Sequence, residues 1–274
     1  MKITAFKEGN TMKELVVKIV NDIDPESLNF PVMISGLPGC ALVGKIAADH
    51  LIRQGESQLI AEIYGPTLPH HVFVENGLLR LPRLRVHHVK SFDAGNQKKD
   101  FLVITGDAQC QTIEGQYELS TKIIEIAQKY KVKEIWTLGG FAIGIPLTRK
   151  PRVFTTTTSE ELLKKVLKEE NTKETNGPVV GANGLVLGVG KLNGMDGGCL
   201  LGETPGFMPD PIASKEILNV LGKIQGVEWD LSNLDELAKK AVEKAKKMAG
   251  VWEEKAPGEE GVPGTPQEQP SYFG

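Results

Sequence analysis

The chain has 274 residues, 40% hydrophobic and 24% charged, with a net charge of −3 at pH 7. That is enough apolar material for one sizeable core, and the near-balanced charge excludes a surface dedicated to nucleic acid, which needs concentrated Lys and Arg. No apolar run approaches the roughly 20 residues that span a bilayer, and residues 1–9 carry no signal-peptide core, so a cytoplasmic protein without a membrane or nucleic-acid partner is expected.

In chain order, residues 16–20 read as a strand closed by the turn signal of Asn21 to Pro25. The apolar run 30–35 then meets Gly36-Leu37-Pro38-Gly39 and opens into a helical pattern over residues 41–54, with Leu42, Ile46, Ala47, Leu51 and Ile52 on one side. Gly39, Gly44 and Lys45 fit most of the Walker A pattern, in which amides at a helix start cradle phosphates and the lysine reaches the outer ones. The hydroxyl residue that this pattern needs after the lysine is replaced by Ile46. The turn therefore reads first as a strand-to-helix junction and only second as a phosphate site.

Asn76-Gly77 between two apolar stretches predicts a β-hairpin, because both residues tolerate positive φ. A second hairpin is expected to turn at residues 93–96 and to return as the continuous apolar strand 101–105. Residues 113–130 have a helical pattern, 134–138 form a strand ending at Gly139-Gly140, and 152–157 form another. Thr158 and Glu161 have capping-box spacing for a following helix. Residues 185–189 read as an apolar strand, 211–221 as a helix behind the N-cap Asp210, and 234–248 as an amphipathic helix closed by Gly250. Alternation of this kind predicts an α/β fold with a largely parallel central sheet and a β-hairpin extension on one side.

In such a sheet, ligand sites lie beyond the carboxyl ends of the strands. The ends at Gly36, Asp107, Gly139 and Glu203 are therefore the candidate pocket, with Asp107 and Glu203 as its acids. No nucleophile with a base and no paired-carboxylate motif stands beside them, so no catalytic residue is assigned. The adjacent pairs His70-His71 and His87-His88 fall on presumed strands, where neighbours point to opposite faces, and no acidic cluster accompanies them. With Cys40, Cys110 and Cys199 far apart, no metal, disulfide or cofactor is expected, and the cysteines read as buried thiols.

Gly36-Leu37-Pro38-Gly39 with Val43-Gly44, then Thr105-Gly106-Asp107-Ala108-Gln109, Leu138-Gly139-Gly140 and Leu201-Gly202-Glu203-Thr204-Pro205-Gly206 followed by Pro209-Asp210-Pro211 form an ordered set. Through this set the chain resembles the proteasome-assembly-chaperone family, in particular its archaeal homologues. The resemblance implies a three-layer α/β fold akin to nucleoside phosphorylases and no enzymatic activity. It also implies oligomerisation, as a homo-oligomer or with a paralogous partner, and binding to proteasome α subunits. The alternative kept open by the residues is a nucleotide- or nucleoside-binding enzyme of phosphorylase-like fold, using Gly36, Gly39, Gly44 and Lys45 for phosphate and Asp107 or Glu203 for chemistry.

Residues 1–254 are expected to form a single domain, and 255–274, rich in Pro, Gly and Glu, a flexible tail. That tail carries the aromatic group Tyr272-Phe273-Gly274. In proteasome activators and some archaeal members of the resembled family, a terminal hydrophobic-tyrosine-any residue motif inserts between α subunits. Tyr272, Phe273 and Gly274 occupy its places, with Phe where tyrosine is expected. Packing of the same aromatics on a sister subunit is the competing expectation.

Overall fold

The computed structural model describes residues 12–95 and 97–254; the tail 255–274, with Tyr272, Phe273 and Gly274, lies outside them. Four parallel strands form the centre of a nine-stranded sheet, in the order β7 (Gln97–Gly106), β2 (Val32–Ser35), β8 (Glu134–Ala142) and β11 (Asp196–Thr204). Every residue of β2 and all of β11 except Asp196 are buried, as expected of strands covered on both faces. From β7 the sheet continues antiparallel through β6 (Leu84–Ala94), β3 (Ser57–Tyr64) and β1 (Val16–Ile19). At the other side β9 (Val153–Thr157) runs antiparallel to β11, and β10 (Thr172–Glu174) forms the edge. A separate hairpin, β4 (Phe73–Glu75) and β5 (Leu78–Arg80), turns at Asn76 and Gly77 with φ of 51° and 79°.

Helices α1 (Val43–Gln54), α3 (Glu160–Val166), α5 (Pro211–Gln225) and α6 (Ser232–Glu254) cover one face, and α2 (Ile113–Lys129) and α4 (Ala182–Leu192) cover the other. This is the expected three-layer α/β architecture. Trp136 and Phe101 are the large side chains under α1 and α5, whereas Tyr130, Ile123 and Leu102 fill the layer under α2. Helix starts follow local chemistry. Thr112 accepts from the Gly115 amide at 3.0 Å to open α2, and Asp210 accepts from Ile212 and Ala213 at 3.0 and 2.9 Å to open α5, with Pro211 in the first turn.

Three expectations need correction, and one strand was not foreseen. Residues 185–189 belong to α4, not to a strand: Ala182, Val186, Leu187 and Gly190 bury one side at helical spacing, a period that a five-residue window cannot display. The strand in this region is β11, disguised by Gly197, Gly198 and Gly202, because a Cβ at Gly198 would lie 2.7 Å from the Trp136 ring and one at Gly202 2.8 Å from the Ala213 carbonyl. The cap of α3 is Ser159, which accepts from Leu162 at 3.4 Å, while the Thr158 hydroxyl is engaged with Asp196 and Gly197. Gly250 does not end α6, which continues to Glu254; the side chains of Ala245 and Met248 lie outside the described ones.

His70 and His71 precede β4 in a loop and not on a strand. His87 and His88 do occupy β6, and among the described residues no three metal-ligating groups gather. Burial pushes His87 down to about 4, reinforced by Arg85 and opposed by Asp49, so its ring is neutral at pH 7. His50 is buried and contacts the Asp230 carbonyl at 2.9 Å, a packing role.

The glycine turn serves the layer packing. A Cβ at Gly36 would meet the Gly44 carbonyl at 2.2 Å, and one at Gly44 would meet the Leu138 carbonyl at 2.0 Å. Gly39 differs: its backbone is extended, and a Cβ would meet Gln109 Nε2 at 3.5 Å and the Leu37 carbonyl at 4.0 Å, ordinary contacts. Gly44→Ala is therefore expected to destabilise the protein by at least about 1–3 kcal/mol despite its better helix propensity, while Gly39→Ala stays within about 1 kcal/mol. Urea midpoints check this, and an unchanged midpoint for Gly44→Ala refutes the packing role.

Candidate functional site

Strand order brings the expected residues onto one rim of the sheet in sequence: Asp107 after β7, Gly36 after β2, Gly139 in β8 and Glu203 in β11. Three strand spacings separate the two acids, about 14 Å at ~4.8 Å each, too far for a pair of carboxylates acting on one bond.

Each acid is instead the centre of its own clamp. Asp107 receives the Arg80 guanidinium through two nitrogens at 2.6 and 3.2 Å and the Arg83 amide at 3.0 Å, and its own amide donates back to the Arg83 carbonyl at 3.0 Å. Glu203 receives Arg149 at 2.6 and 2.7 Å and the Arg152 amide at 3.0 Å, and its amide donates back to the Arg152 carbonyl at 2.8 Å. The two partner segments have the same pattern, Arg80-Leu81-Pro82-Arg83 and Arg149-Lys150-Pro151-Arg152, with both prolines buried. Proline fixes φ and so presents the following amide to the carboxylate. Sequence reasoning missed these arginines, although the repeated Arg-x-Pro-Arg was readable.

The electrostatics match. Burial works to raise the Asp107 carboxyl, but Arg80 and the Arg83 amide outweigh it and hold it below the ordinary range. The Arg149 fork, aided by the Arg152 amide, does the same at Glu203 against a smaller effect of burial. Both groups are anions at neutral pH with their acceptors occupied, which is unsuited to general-base work.

Lys45 does not face the turn as a phosphate-binding lysine would. Its ammonium pairs with Asp49 one turn further along α1 at 2.9 Å, and Asp49 also accepts from Thr105 at 3.1 Å. The helix start is irregular as well, since Ala41 and Leu42 take φ of 48° and 51° and the Leu42 amide is bound to the Gly39 carbonyl. Cys40 at this turn is half-buried, and burial together with Asp210 pushes its thiol up, away from the reactive thiolate. Gln109 joins the rim: its amide nitrogen donates to the Pro38 carbonyl at 2.7 Å, and its oxygen accepts from the Ala182 amide at 3.2 Å.

Beside the Glu203 clamp lies a cleft of about 420 Å³ with walls of proline, Phe207 and one side of α6. The hairpin beside the Asp107 clamp exposes Val74, Leu78 and Leu79. The apolar exposure of this end of the molecule is thus outside the strand-end pocket that the sequence singled out.

The chain belongs to the PAC2 family, whose pattern matches residues 33–249. Among its relatives, the Methanocaldococcus jannaschii protein MJ1210 is 34% identical over 91% of this chain and 96% of its own length. Among solved structures, Pyrococcus furiosus PbaB, an archaeal proteasome activator, superimposes with a TM-score of 0.80 at 34% identity, covering 87% of this chain and all of that one. Pyrococcus furiosus PbaA, an archaeal homologue of proteasome-assembly chaperone, gives a TM-score of 0.69 at 25% identity over 87% and 93% of the two chains.

The clamps make stability acid-sensitive. Because the folded values of Asp107 and Glu203 lie below their unfolded ones, about 3.9 for Asp and 4.3 for Glu, their contribution is full above those unfolded values. It is lost as pH falls through the folded values. Glu203→Gln is expected to cost about 1–3 kcal/mol at pH 7 and to flatten the acid limb of the stability curve. Melting temperatures from pH 7 to pH 2 test this, and parallel curves for variant and wild type refute it.

Proposed function

We propose that this protein is a non-enzymatic, cytoplasmic proteasome factor of the assembly-chaperone type, which oligomerises and binds proteasome α subunits. The observation that carries the reading is the likeness over nearly the whole chain to a proteasome activator and to a homologue of an assembly chaperone. The rim geometry supports it, because each group that could have done chemistry is already engaged: Lys45 by Asp49, Asp107 by Arg80 and Glu203 by Arg149. The alternative, a nucleotide- or nucleoside-binding enzyme, has no comparable support. The higher identity to the activator favours a second form of the same reading, in which the protein engages assembled α rings rather than free α subunits.

Tyr272-Phe273-Gly274 is proposed as the element that engages the ring, with Phe273 in the place of a tyrosine. Deleting these three residues is expected to abolish capture of α rings without changing the oligomer mass. Phe273→Tyr is expected to tighten binding by up to about tenfold, the value of one added hydrogen bond of ~0.5–1.5 kcal/mol. Lys45→Ala is expected to leave binding unchanged. The reading fails if the deletion variant captures α rings as wild type does, or if the intact chain hydrolyses nucleotides and Lys45→Ala abolishes that turnover.

A further inference from the structure

The cleft beside the Glu203 clamp is lined mostly by apolar side chains. Pro146, Pro151, Pro205 and Pro209 line it together with Phe207 and Val242, of which Phe207 is 74% exposed. Its walls are held by hydrogen bonds on both sides. Pro151 belongs to the Arg149–Arg152 segment that Glu203 grips, and Pro205 follows Thr204, whose hydroxyl donates to Asp210 at 2.7 Å. A preformed cleft with rigid proline walls costs little ordering on binding, and its volume lies within the range of ligand-binding sites.

We infer that this cleft holds the Tyr272-Phe273 segment of the same chain, and that this docked state withholds the segment from other partners. Helix α6 supplies both a wall of the cleft, through Ala241 and Val242, and the route by which the chain leaves. From Val242 to Glu254 the helix rises about 18 Å, at ~1.5 Å per residue. The residues between Glu254 and Tyr272 can span up to ~60 Å, at ~3.3–3.6 Å each, so the aromatic pair reaches back to the cleft with length to spare. Between them the sequence offers one large apolar residue, Val262, which makes Tyr272-Phe273 the first aromatic group available to the proline walls. Tethering gives that pair an effective concentration of order mM, ahead of free competitors. The occupancy of the cleft stands independently of the proteasome reading; only its regulatory consequence rests on it.

Fluorotyrosine at position 272 of the full-length chain reports the docked state by fluorine NMR. The expected result is a broadened, displaced resonance that Phe207→Ser and Val242→Glu each convert to the narrow line of a solvated tyrosine, with a fall in melting temperature no larger than that caused by deleting Tyr272-Phe273-Gly274. A narrow line in the unsubstituted chain overturns the inference, as does a displaced line that neither substitution moves. Co-expressing labelled Val242→Glu chains with unlabelled intact chains tests the assignment to the same chain: a displaced line that returns there places the segment on a sister copy and overturns it. Binding of α rings by the same variants separates the two readings. If the segment is docked nine-tenths of the time, opening the cleft tightens binding by about tenfold, and unchanged binding overturns the withholding role. If no form binds α rings while the fluorine shift persists, the docking stands and the proteasome reading falls.

Discussion

Helix α1 lies against the sheet at backbone distance, and the layout of the rim depends on that approach. The carbonyl of Gly44 sits where a side chain on Gly36 would be, and the carbonyl of Leu138 where one on Gly44 would be. An ordinary helix packs on a sheet through side chains, near 10 Å between layers; two glycines in register remove that spacer. The start of α1 is thereby set down directly over β2 and β8. Ala41 and Leu42 take left-handed backbone conformations there, a strain of order 1 kcal/mol or more each, which the surrounding contacts must hold in place. A glycine-rich strand-to-helix turn can arise from packing geometry, and of the residues that resemble a phosphate loop Gly44 has that origin.

The same closeness of layers governs the acids. At the ends of β7 and β11 the chain must leave a closely covered sheet, and each exit is secured by one carboxylate that accepts an arginine fork and a backbone amide, and by one backbone hydrogen bond in return. Arg-x-Pro-Arg suits both places, because its first Arg reaches the carboxylate in a bidentate geometry that Lys cannot match, and its proline sets the direction of the amide that follows. The forks are partly open to solvent on the arginine side, with Arg149 44% exposed against 5% for Glu203. The pair therefore avoids the full desolvation cost of a buried ion pair. What results is a rigid rim whose charges are satisfied internally, flanked by apolar surface on the β4–β5 hairpin and in the proline cleft.

The order of layers was legible because it rests on long periodic segments and on strong local signals. Leu119, Ile123 and Ile126 mark the buried side of α2, Asn76-Gly77 fixes a hairpin, and Asp210-Pro211 opens α5. The 185–189 stretch failed because Leu185-Val186-Leu187 is apolar whichever element contains it, and its period shows only against Ala182 and Gly190. Strand β11 failed for the opposite reason. Gly198 and Gly202 lower its strand propensity, yet the fold needs them there so that Trp136 and α5 can come close, a demand made by residues 62 and 11 positions away. Asp107 and Glu203 lie at strand ends on one rim, but their engagement with arginine was not readable from their own neighbourhoods. Their partners lie 27 and 54 positions earlier, and only the strand order reveals that the acids are three strands apart.

These features argue for a division of labour within the chain. A protein that converts a small molecule keeps some charged groups unpaired and poised where the strands end, because chemistry needs acceptors and donors that are free to change partners. Here the strand ends carry carboxylates held low by arginine, a lysine held by its own helix and a thiol raised by burial. Such a rim resists change on binding. Recognition by a rigid body falls to surfaces that are apolar and already shaped, and the proline cleft meets both conditions through Phe207 and the walls on either side of Glu203. The clamp at Glu203 then acts at two levels: it closes the exit of β11, and by holding the Arg149–Arg152 segment it fixes Pro151 in the wall of the cleft, so that the residue the sequence offered as an acid for chemistry shapes the surface proposed for docking.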